Sequence, residues 1–315
     1  MDAYAKVCVN IVRHYNDGWA KGFRHGIEYL EIWNEPDLGR GIWSGTQEEY
    51  FTLYEKVSRA IHAHDPKLKI GGPALTQRAF EGKGWGRSFL DRCKERNLPL
   101  DFFAFHAYVT KPDQIAELVR SARRELDARG FTKTEIHLNE WRYAPGWGDL
   151  SPKQREDWAT VPAFFKRATG GKGAAYAAAV LVRMQDEPVD MMNLYTADDS
   201  PWSMFGTFGI RTPVYHAFVA FNEVAKRPAV SLAGLAEDGR SAVVLTSTFN
   251  AAAGPREFRI AGLPCGAEAR VEDLLVDGDH ALEPTLPQVK PAADGVAITV
   301  HLPADAVCLV RLVRP

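Results

Sequence analysis

The sequence has no long hydrophobic run and no excess of basic charge. Among its 315 residues, no stretch approaches the about 18 consecutive apolar residues that a membrane-spanning helix needs. The formal net charge of −2 gives no basic surface for nucleic acid or anionic lipid. We therefore expect neither nucleic acid nor a membrane among the partners of this protein.

Cysteine is also scarce. The four cysteines, at positions 8, 93, 265 and 308, are far apart and form no CxxC pair. This spacing favours free buried thiols over disulfides or a cysteine-bound metal.

The GGKG stretch at 170–173 lacks the spacing of a phosphate-binding loop and is interpreted as a turn before a helix. We expect no metal ion and no cofactor.

Up to about residue 226, predicted strands alternate with predicted helices. Runs of strand-forming residues predict strands at 27–33, 67–74, 101–108, 134–141 and 189–196. Apolar residues at helical spacing predict helices at 3–20, 48–65, 88–97, 112–130, 173–185 and 215–226. Alternation of this kind is typical of a parallel sheet or a (β/α) barrel.

Beyond Pro228 the pattern changes to short strands separated by glycine, proline and aspartate. These strands are predicted at 241–249, 256–263, 269–276, 295–303 and 306–314. Such a series is typical of an antiparallel β-sandwich. We therefore predict two domains, an α/β domain over residues 1–228 and a small β-sandwich domain over 229–315.

The stretch EIWNEPD, residues 31–37, places a carboxylate at the end of a predicted strand. Proline lacks an N–H and disfavours helix in the residue before it, so Glu35 closes an extended segment before Pro36. A second carboxylate, Glu140, ends the strand TEIHLNEW, where alternation puts it on one face with Ile136 and Leu138. Glu31 and Glu135, earlier on the same strands, are interpreted as paired or near an edge of the sheet, and not as catalytic.

A third strand end contributes a histidine and a tyrosine. In DFFAFHAY, alternation places His106 and Tyr108 on one face at the end of the strand. Active sites of (β/α) barrels are built where the strands end, so these side chains and the two glutamates are expected to meet there. Two carboxylates at one site match the requirement of glycoside hydrolysis. The apolar faces of a sugar would suit nearby aromatic side chains, namely Trp33, Trp43, Trp141 and Trp147.

These motifs together resemble glycoside hydrolase family 39, in the broad clan of retaining barrels with catalytic residues on strands four and seven. The resemblance rests on W-N-E-P-D, on the later strand-end glutamate and on H-x-Y. It runs from about residue 4 to 226 and is strongest at 27–54. It implies an α/β fold of the (β/α)8 TIM-barrel type, followed by a small antiparallel β-sandwich. Members of the family include β-xylosidases and α-L-iduronidases.

The resemblance also implies roles for individual residues. Glu35 would be the general acid/base and Glu140 the nucleophile of a retaining glycosidase. Substrate contacts are expected from five further residues: Asn34, His106, Tyr108, Trp141 and Tyr195. Asn34 would hold the sugar 2-hydroxyl. A carbohydrate is therefore the expected partner, with a β-xyloside favoured. The sequence N-E-W-R-Y around Glu140 differs from the T-E-Y/W-N of many family xylosidases, so the sugar itself is left open.

Simple strand alternation conflicts with one part of this site. It would put Asn34 and Glu35 on opposite faces, although the chemistry needs both on the same side. A β-bulge or a sharp twist at the end of the strand would resolve the conflict, and we predict one there.

The number of predicted strands is too small for a complete barrel. Five strands fit before the β-sandwich, so we expect about strands four to eight of the barrel, without an N-terminal part. Two open sheet edges, at 27–33 and 189–196, would then invite a homo-oligomer. An alternative function is a non-catalytic remnant that only binds sugar or needs another copy to complete its barrel. The first residues do not form a signal peptide, but an incomplete N-terminus would leave the localisation open.

Overall fold

The computed structural model describes residues 1–39, 41–146, 151–157, 159–198, 200–225, 233–236, 240–261, 269–292 and 295–313. Contacts divide the chain into two compact units. The first unit consists of Met1–Tyr108, Ala116–Trp141 and Glu187–Leu194. The second unit consists of Val109–Ile115, Arg142–Asp186 and Tyr195–Pro315. In the described parts of the chain, no helix is long and apolar enough to cross a membrane.

The first unit is built on a sheet of five strands in the order β1-β2-β3-β4-β5. The strands are β1 (Tyr29–Glu31), β2 (Lys69–Leu75), β3 (Phe102–Val109), β4 (Glu135–Tyr143) and β5 (Met191–Leu194). The pairs β1–β2, β2–β3 and β4–β5 are parallel. Helix α1 (Asp2–Asn16) precedes β1, and the first four strands are connected through α2 (Gln47–His64), α3 (Trp85–Glu95) and α4 (Pro112–Ala128). The predicted strands and helices of this region are confirmed, with β1 and β5 shorter than expected.

The sheet of the first unit is strongly curved. In a flat sheet, β1 and β4 would lie about 14 Å apart, because neighbouring strands are spaced by about 4.8 Å. Yet Tyr29 on β1 donates a hydrogen bond of 3.1 Å to Glu135 on β4. Asn139 on β4 likewise donates to Glu31 on β1, at 2.6 Å. Side chains can join these strands only if the sheet curls, as the wall of a barrel does.

Alternation along β4 predicts that Ile136 and Leu138 share the concave face with Glu140. In the structure they do not lie on that face. His137 stacks on Phe102 of β3 at 4.4 Å between ring centroids, so His137 lies on the inner face with Glu135 and Asn139. Ile136 and Leu138, expected on the inner face, therefore lie on the outer one. The pairing of β4 with β5 is irregular between Leu138 and Trp141, and this irregularity brings Glu140 back to the inner side.

Helix α1 carries an exposed apolar stripe. The predicted helix is confirmed, and Ala5 and Val12 are buried. Several of its other apolar positions are open to solvent, with Val7 51% exposed and Ile11 47% exposed. The stripe continues beyond the helix through further large residues that are exposed by 40% or more: Trp19, Phe23 and Ile27.

The second unit combines helices with two antiparallel sheets. Its helices are α5 (Pro152–Glu156), α6 (Thr160–Thr169), α7 (Gly171–Arg183) and α8 (Pro213–Ala225). Its strands are β6 (Phe205–Gly206), β7 (Ile210–Arg211), β8 (Ala233–Leu235), β9 (Ser241–Ser247), β10 (Gly254–Ala261), β11 (Arg270–Val276), β12 (Ala281–Thr285), β13 (Gln288–Ala292), β14 (Gly295–Leu302) and β15 (Val307–Val313). One sheet has the order β10-β14-β13 and the other β12-β11-β15-β9-β8, while β6 and β7 form a separate pair.

The larger of these sheets is covered on both faces. One face meets β14 of the smaller sheet, with Ile298 and Val310 in a common core. The other face packs on α7 and α8, where Ala174, Ala217 and Val243 share a second core. Because the helices and the sheet share this core, the contacts do not divide the chain near residue 228, where the sequence pattern placed the domain boundary.

Candidate active site

The backbone around Glu35 makes the sharp turn that the sequence predicts. After β1 ends, Trp33 and Glu35 both adopt left-handed conformations, with φ of 74° and 42°. Such conformations are costly for residues other than glycine. The Glu35 N–H donates to the carbonyl of Ala74 at 2.9 Å, which holds this segment against the end of β2. Asp37 accepts hydrogen bonds from the Thr76 N–H at 3.1 Å and the Thr76 hydroxyl at 2.8 Å.

A glycine in β2 and a buried tyrosine on α2 both make close contacts near the segment that carries Glu35. Gly71 lies where an added Cβ would overlap the backbone oxygen of Phe102, so β2 needs glycine there to approach β3. The hydroxyl of Tyr50, which is fully buried on α2, donates to the carbonyl of Ile32 at 2.9 Å. The hydrogen bond from Tyr50 holds the polypeptide just before Glu35.

His106 lies between the two glutamates. It is fully buried on β3, and its Nδ1 atom lies 2.7 Å from Glu35 Oε1 and 3.3 Å from Glu140 Oε2. Tyr108, two residues further along the same face of β3, donates its hydroxyl proton to Glu140 Oε2 at 2.6 Å. The structure thus brings together the four residues that the sequence analysis placed at strand ends.

The two carboxyl groups lie close together. One oxygen of Glu35, one oxygen of Glu140 and a ring nitrogen of His106 all lie within 4.8 Å of one another. The Glu35 side chain is 14% exposed and that of Glu140 24% exposed, so a substrate can reach both. Three such side chains could also hold a metal ion, but the two-carboxylate chemistry proposed below uses none.

Other predicted site residues lie outside this group. Asn34 is exposed, and its side chain forms no hydrogen bond to any residue that the structure describes. Trp141 is only 1% exposed, which leaves no open ring face for a sugar. Tyr195 is 40% exposed and belongs to the second unit. Trp33 and Trp43 meet edge to face at 5.1 Å. Trp147 lies outside the described residues.

A partly buried pair of polar residues lies beside the site, and the sequence analysis assigned it no role in the site. Glu31, interpreted as paired, accepts its hydrogen bond from Asn139, the residue before Glu140. Burial raises the pKa of Glu31 to about 7; His106 and Asn139 oppose this rise, and the charge of Glu140 adds to it. The sequence held a signal for this pair, since both residues occupy polar positions on strands that otherwise read as buried.

Below this pair, a second cluster of polar side chains is fully connected. Glu135 binds Lys69 and accepts from Tyr29 at 3.1 Å, and its Oε2 lies 2.9 Å from His137 Nε2. Burial acts to raise the pKa of Glu135, but hydrogen bonds from Lys69, His137 and Tyr29 outweigh it and leave that pKa lowered. Glu135 is therefore a satisfied, charged member of a structural cluster.

Comparison with known proteins identifies the family of this chain. The model of the family described as glycosyl hydrolases family 39 matches residues 3–256. The chain belongs to glycosyl hydrolase family 39. A β-xylosidase of Geobacillus stearothermophilus is 29% identical over 277 residues, which cover 75% of this chain and 50% of that protein. A β-xylosidase of Caldicellulosiruptor saccharolyticus is 27% identical over 60% of this chain and 40% of its own length. The family 39 chain thus spans half or less of these curated relatives.

Solved structures show the same fold. A glucosidase from Croceicoccus marinus superposes with a TM-score of 0.76 at 24% identity, covering 99% of the family 39 chain and 74% of its own. A monomeric β-xylosidase from Caulobacter crescentus superposes with a TM-score of 0.71 at 20% identity, covering 99% and 74%. At these identities the likeness supports the fold alone.

Proposed function

We propose that this family 39 chain carries the catalytic pair of a retaining glycosidase that acts on β-xylosides or related glycosides. In this proposal Glu35 is the general acid/base and Glu140 the nucleophile. The observation that carries it is that one oxygen of Glu35 lies within 4.8 Å of one oxygen of Glu140, with both glutamates in contact with His106 Nδ1. Retaining glycosidases hold their carboxyl groups about 5–5.5 Å apart, whereas inverting enzymes need about 6.5–9.5 Å to admit a water molecule.

The reaction follows from this spacing in two steps. In the first, a Glu140 oxygen bonds to the anomeric carbon while the bond to the leaving oxygen breaks and Glu35 gives that oxygen its proton. In the second, Glu35 takes a proton from water, and the water oxygen displaces Glu140 from the anomeric carbon. The sugar leaves with its original configuration, and both carboxyl groups return to their starting states.

His106 and Tyr108 would prepare the two glutamates for these different tasks. The Tyr108 hydroxyl occupies one oxygen of Glu140, which fixes the carboxylate and leaves its other oxygen for attack. When His106 Nδ1 carries the proton, the ring can donate to Glu35 and lies near Glu140 as well. One buried ring therefore sets the relative position of both carboxylates.

The proposal also covers the sugar that is bound and the complete fold of the two units. Both curated relatives described above are β-xylosidases, which favours a xyloside. We assign the curved sheet to the later part of an eight-stranded barrel and the two antiparallel sheets to a β-sandwich. Asn34 is proposed to hold the sugar 2-hydroxyl. Tyr195 is kept as a substrate contact, and Trp141 is kept only if binding exposes its ring.

Replacement of the acid/base should separate substrates by their leaving group. Glu35→Ala should slow hydrolysis of alkyl xylosides by about 100-fold or more, because their leaving oxygen requires a proton. Nitrophenyl xylosides should lose much less in the first step, because nitrophenolate leaves without protonation. Steady-state kinetics on a series of leaving groups measures the difference.

A matched control is Glu117→Ala, which removes a surface carboxylate whose side chain is 62% exposed on α4. It should leave both kinds of substrate unaffected. Equal losses on both substrates in Glu35→Ala would contradict the acid/base role. Sugar binding with no turnover by the unaltered chain would favour the alternative function, a remnant that binds sugar without hydrolysing it.

Self-association remains part of the proposal. In the described part of the sheet, β1 and β5 are edge strands, and α1 presents its exposed apolar stripe. We expect the 35.0 kDa chain to elute in size-exclusion chromatography as a species larger than a monomer. The charged variant Val7→Glu with Ile11→Lys should shift it towards the monomer, and a monomeric unaltered chain would contradict the expectation.

A further inference from the structure

The side chains of Glu31 and Asn139 meet across the concave face of the curved sheet. Their hydrogen bond of 2.6 Å joins β1 to β4, although β2 and β3 lie between these strands in the sheet. The bond therefore holds together two strands that share no backbone pairing with each other. It also lies beside the proposed catalytic residues, since Asn139 directly precedes Glu140.

The backbone at this point needs such support. The pairing of β4 with β5 is irregular between Leu138 and Trp141, and both Asn139 and Glu140 fall within that interval. An irregular strand end loses regular ladder hydrogen bonds and can re-aim the side chains it carries. The pairing with β5 therefore does not by itself fix the orientation of Glu140 towards His106 and Tyr108, and side-chain contacts contribute to it.

One side-chain oxygen of each residue in the pair is buried. Glu31 Oε1 and Asn139 Oδ1 are buried acceptors, and neither has a hydrogen-bond partner among the residues that the structure describes. Unpaired buried acceptors are costly, so the pair is not retained for stability alone. The titratable groups that interact with Glu31 are His106 on β3, Glu140 on β4, and Tyr50 and Tyr54 on α2.

We propose that Glu31 and Asn139 form a positioning pair that fixes the end of β4, so that the carboxylate of Glu140 is held against Tyr108 and His106. This inference rests on the proposed function, because it takes Glu140 as the nucleophile. The pair does not touch the reacting atoms. It acts through the backbone of Asn139, whose side chain is anchored on β1, and through the residue that follows.

Breaking the pair should lower kcat with little change in KM. Asn139→Ala and Glu31→Ala should each slow hydrolysis of a nitrophenyl β-xyloside by about 10- to 100-fold, because small displacements of a nucleophile are costly. The double variant should be no slower than the slower single variant, since both changes remove one interaction. Glu31→Gln keeps an oxygen to accept from Asn139 and should restore kcat to within a few-fold of the unaltered chain.

The matched control is Glu135→Gln, which changes another carboxylate on the same face of β4 that contacts Lys69 and not Glu140. It should lower the midpoint of thermal unfolding and leave kcat unchanged. Near-normal kcat in folded Asn139→Ala and Glu31→Ala would overturn the proposal. So would a Glu31→Gln variant as slow as Glu31→Ala, because that outcome would require the charge itself and not the hydrogen bond.

A structural measurement decides the inference even if the proposed function fails. Crystal structures of the unaltered chain and of Asn139→Ala, or of Glu31→Ala should the first not fold, should show Glu140 displaced from the Tyr108 hydroxyl in the variant. Glu140 still at hydrogen-bond distance from Tyr108 would overturn the positioning role. Absence of turnover by the unaltered chain, with Glu140 displaced in the variant, would refute the glycosidase and leave the positioning pair standing.

Discussion

Glu140→Gly is expected to abolish turnover of aryl β-xylosides, with a loss of about 10⁴-fold or more in kcat. Retention of configuration requires a covalent bond between the sugar and this carboxylate, and glycine offers no atom to form it. The cavity left by the carboxyl group should admit azide. Added azide should therefore restore turnover and yield a glycosyl azide of the opposite anomeric configuration.

The measurement is release of nitrophenol with and without azide, with the product configuration determined by NMR. Glu135→Gln serves again as the control, because it lies on the same strand and should gain nothing from azide. Residual activity in Glu140→Gly above about 1% of that of the unaltered chain, or azide rescue with retained configuration, would assign the nucleophile to another residue.

The free energy of unfolding should depend on pH through Glu31. Burial raises its pKa from 4.5 to about 7 in the folded chain, so the folded state holds this proton more tightly than the unfolded state does. The resulting stabilisation is fully present below about pH 4.5, declines as the pH rises, and is lost above about pH 7. The shift corresponds to about 3 kcal/mol between these limits.

Glu31→Gln should remove this dependence, because glutamine carries no titrating proton. The test is urea unfolding of both chains at pH 5 and pH 8, with the difference between the chains compared at the two values. The free energy of unfolding of the variant should rise by about 2.5 kcal/mol relative to that of the unaltered chain on going from pH 5 to pH 8. If the two chains differ in their free energy of unfolding by the same amount at pH 5 and at pH 8, then Glu31 is charged at neutral pH.

The sequence contained enough to locate the site because its catalytic candidates fall at strand ends. Strand propensity and the proline after Glu35 marked one end, and alternation placed His106 and Tyr108 on one face of another. Parallel strands end at the same edge, so proximity followed without knowledge of any contact. The twist that brings Glu35 to the site was predicted from a conflict in the pattern, and it is seen in the left-handed Trp33 and Glu35.

Other features depend on geometry that no local pattern specifies. The irregular pairing of β4 reverses which residues face inward, so Ile136 and Leu138 were placed on the wrong side. The contact of Glu31 with Asn139 requires curvature that emerges only when several strands pack together. Trp141 has the composition of a sugar platform, but burial depends on the surrounding fold and removes it from the surface.

The apolar character of α1 illustrates the same limit. Its helical spacing predicted a helix correctly, and the same spacing would ordinarily predict a buried face. In the structure, Val7 and Ile11 on that face are about half exposed. Periodicity therefore identified the helix, but it did not tell which face has a packing partner.

The core that α7 and α8 share with the larger antiparallel sheet limits how the gene can be divided. A fragment that stops after α8 would expose the alanine-rich faces around Ala174 and Ala217 and should precipitate on expression. The C-terminal strands alone would lose the partner of Val243 in the same way. We therefore expect calorimetry to show α7, α8 and this sheet unfolding in one transition. We also expect each fragment to become soluble when the two fragments are expressed together in the same cell.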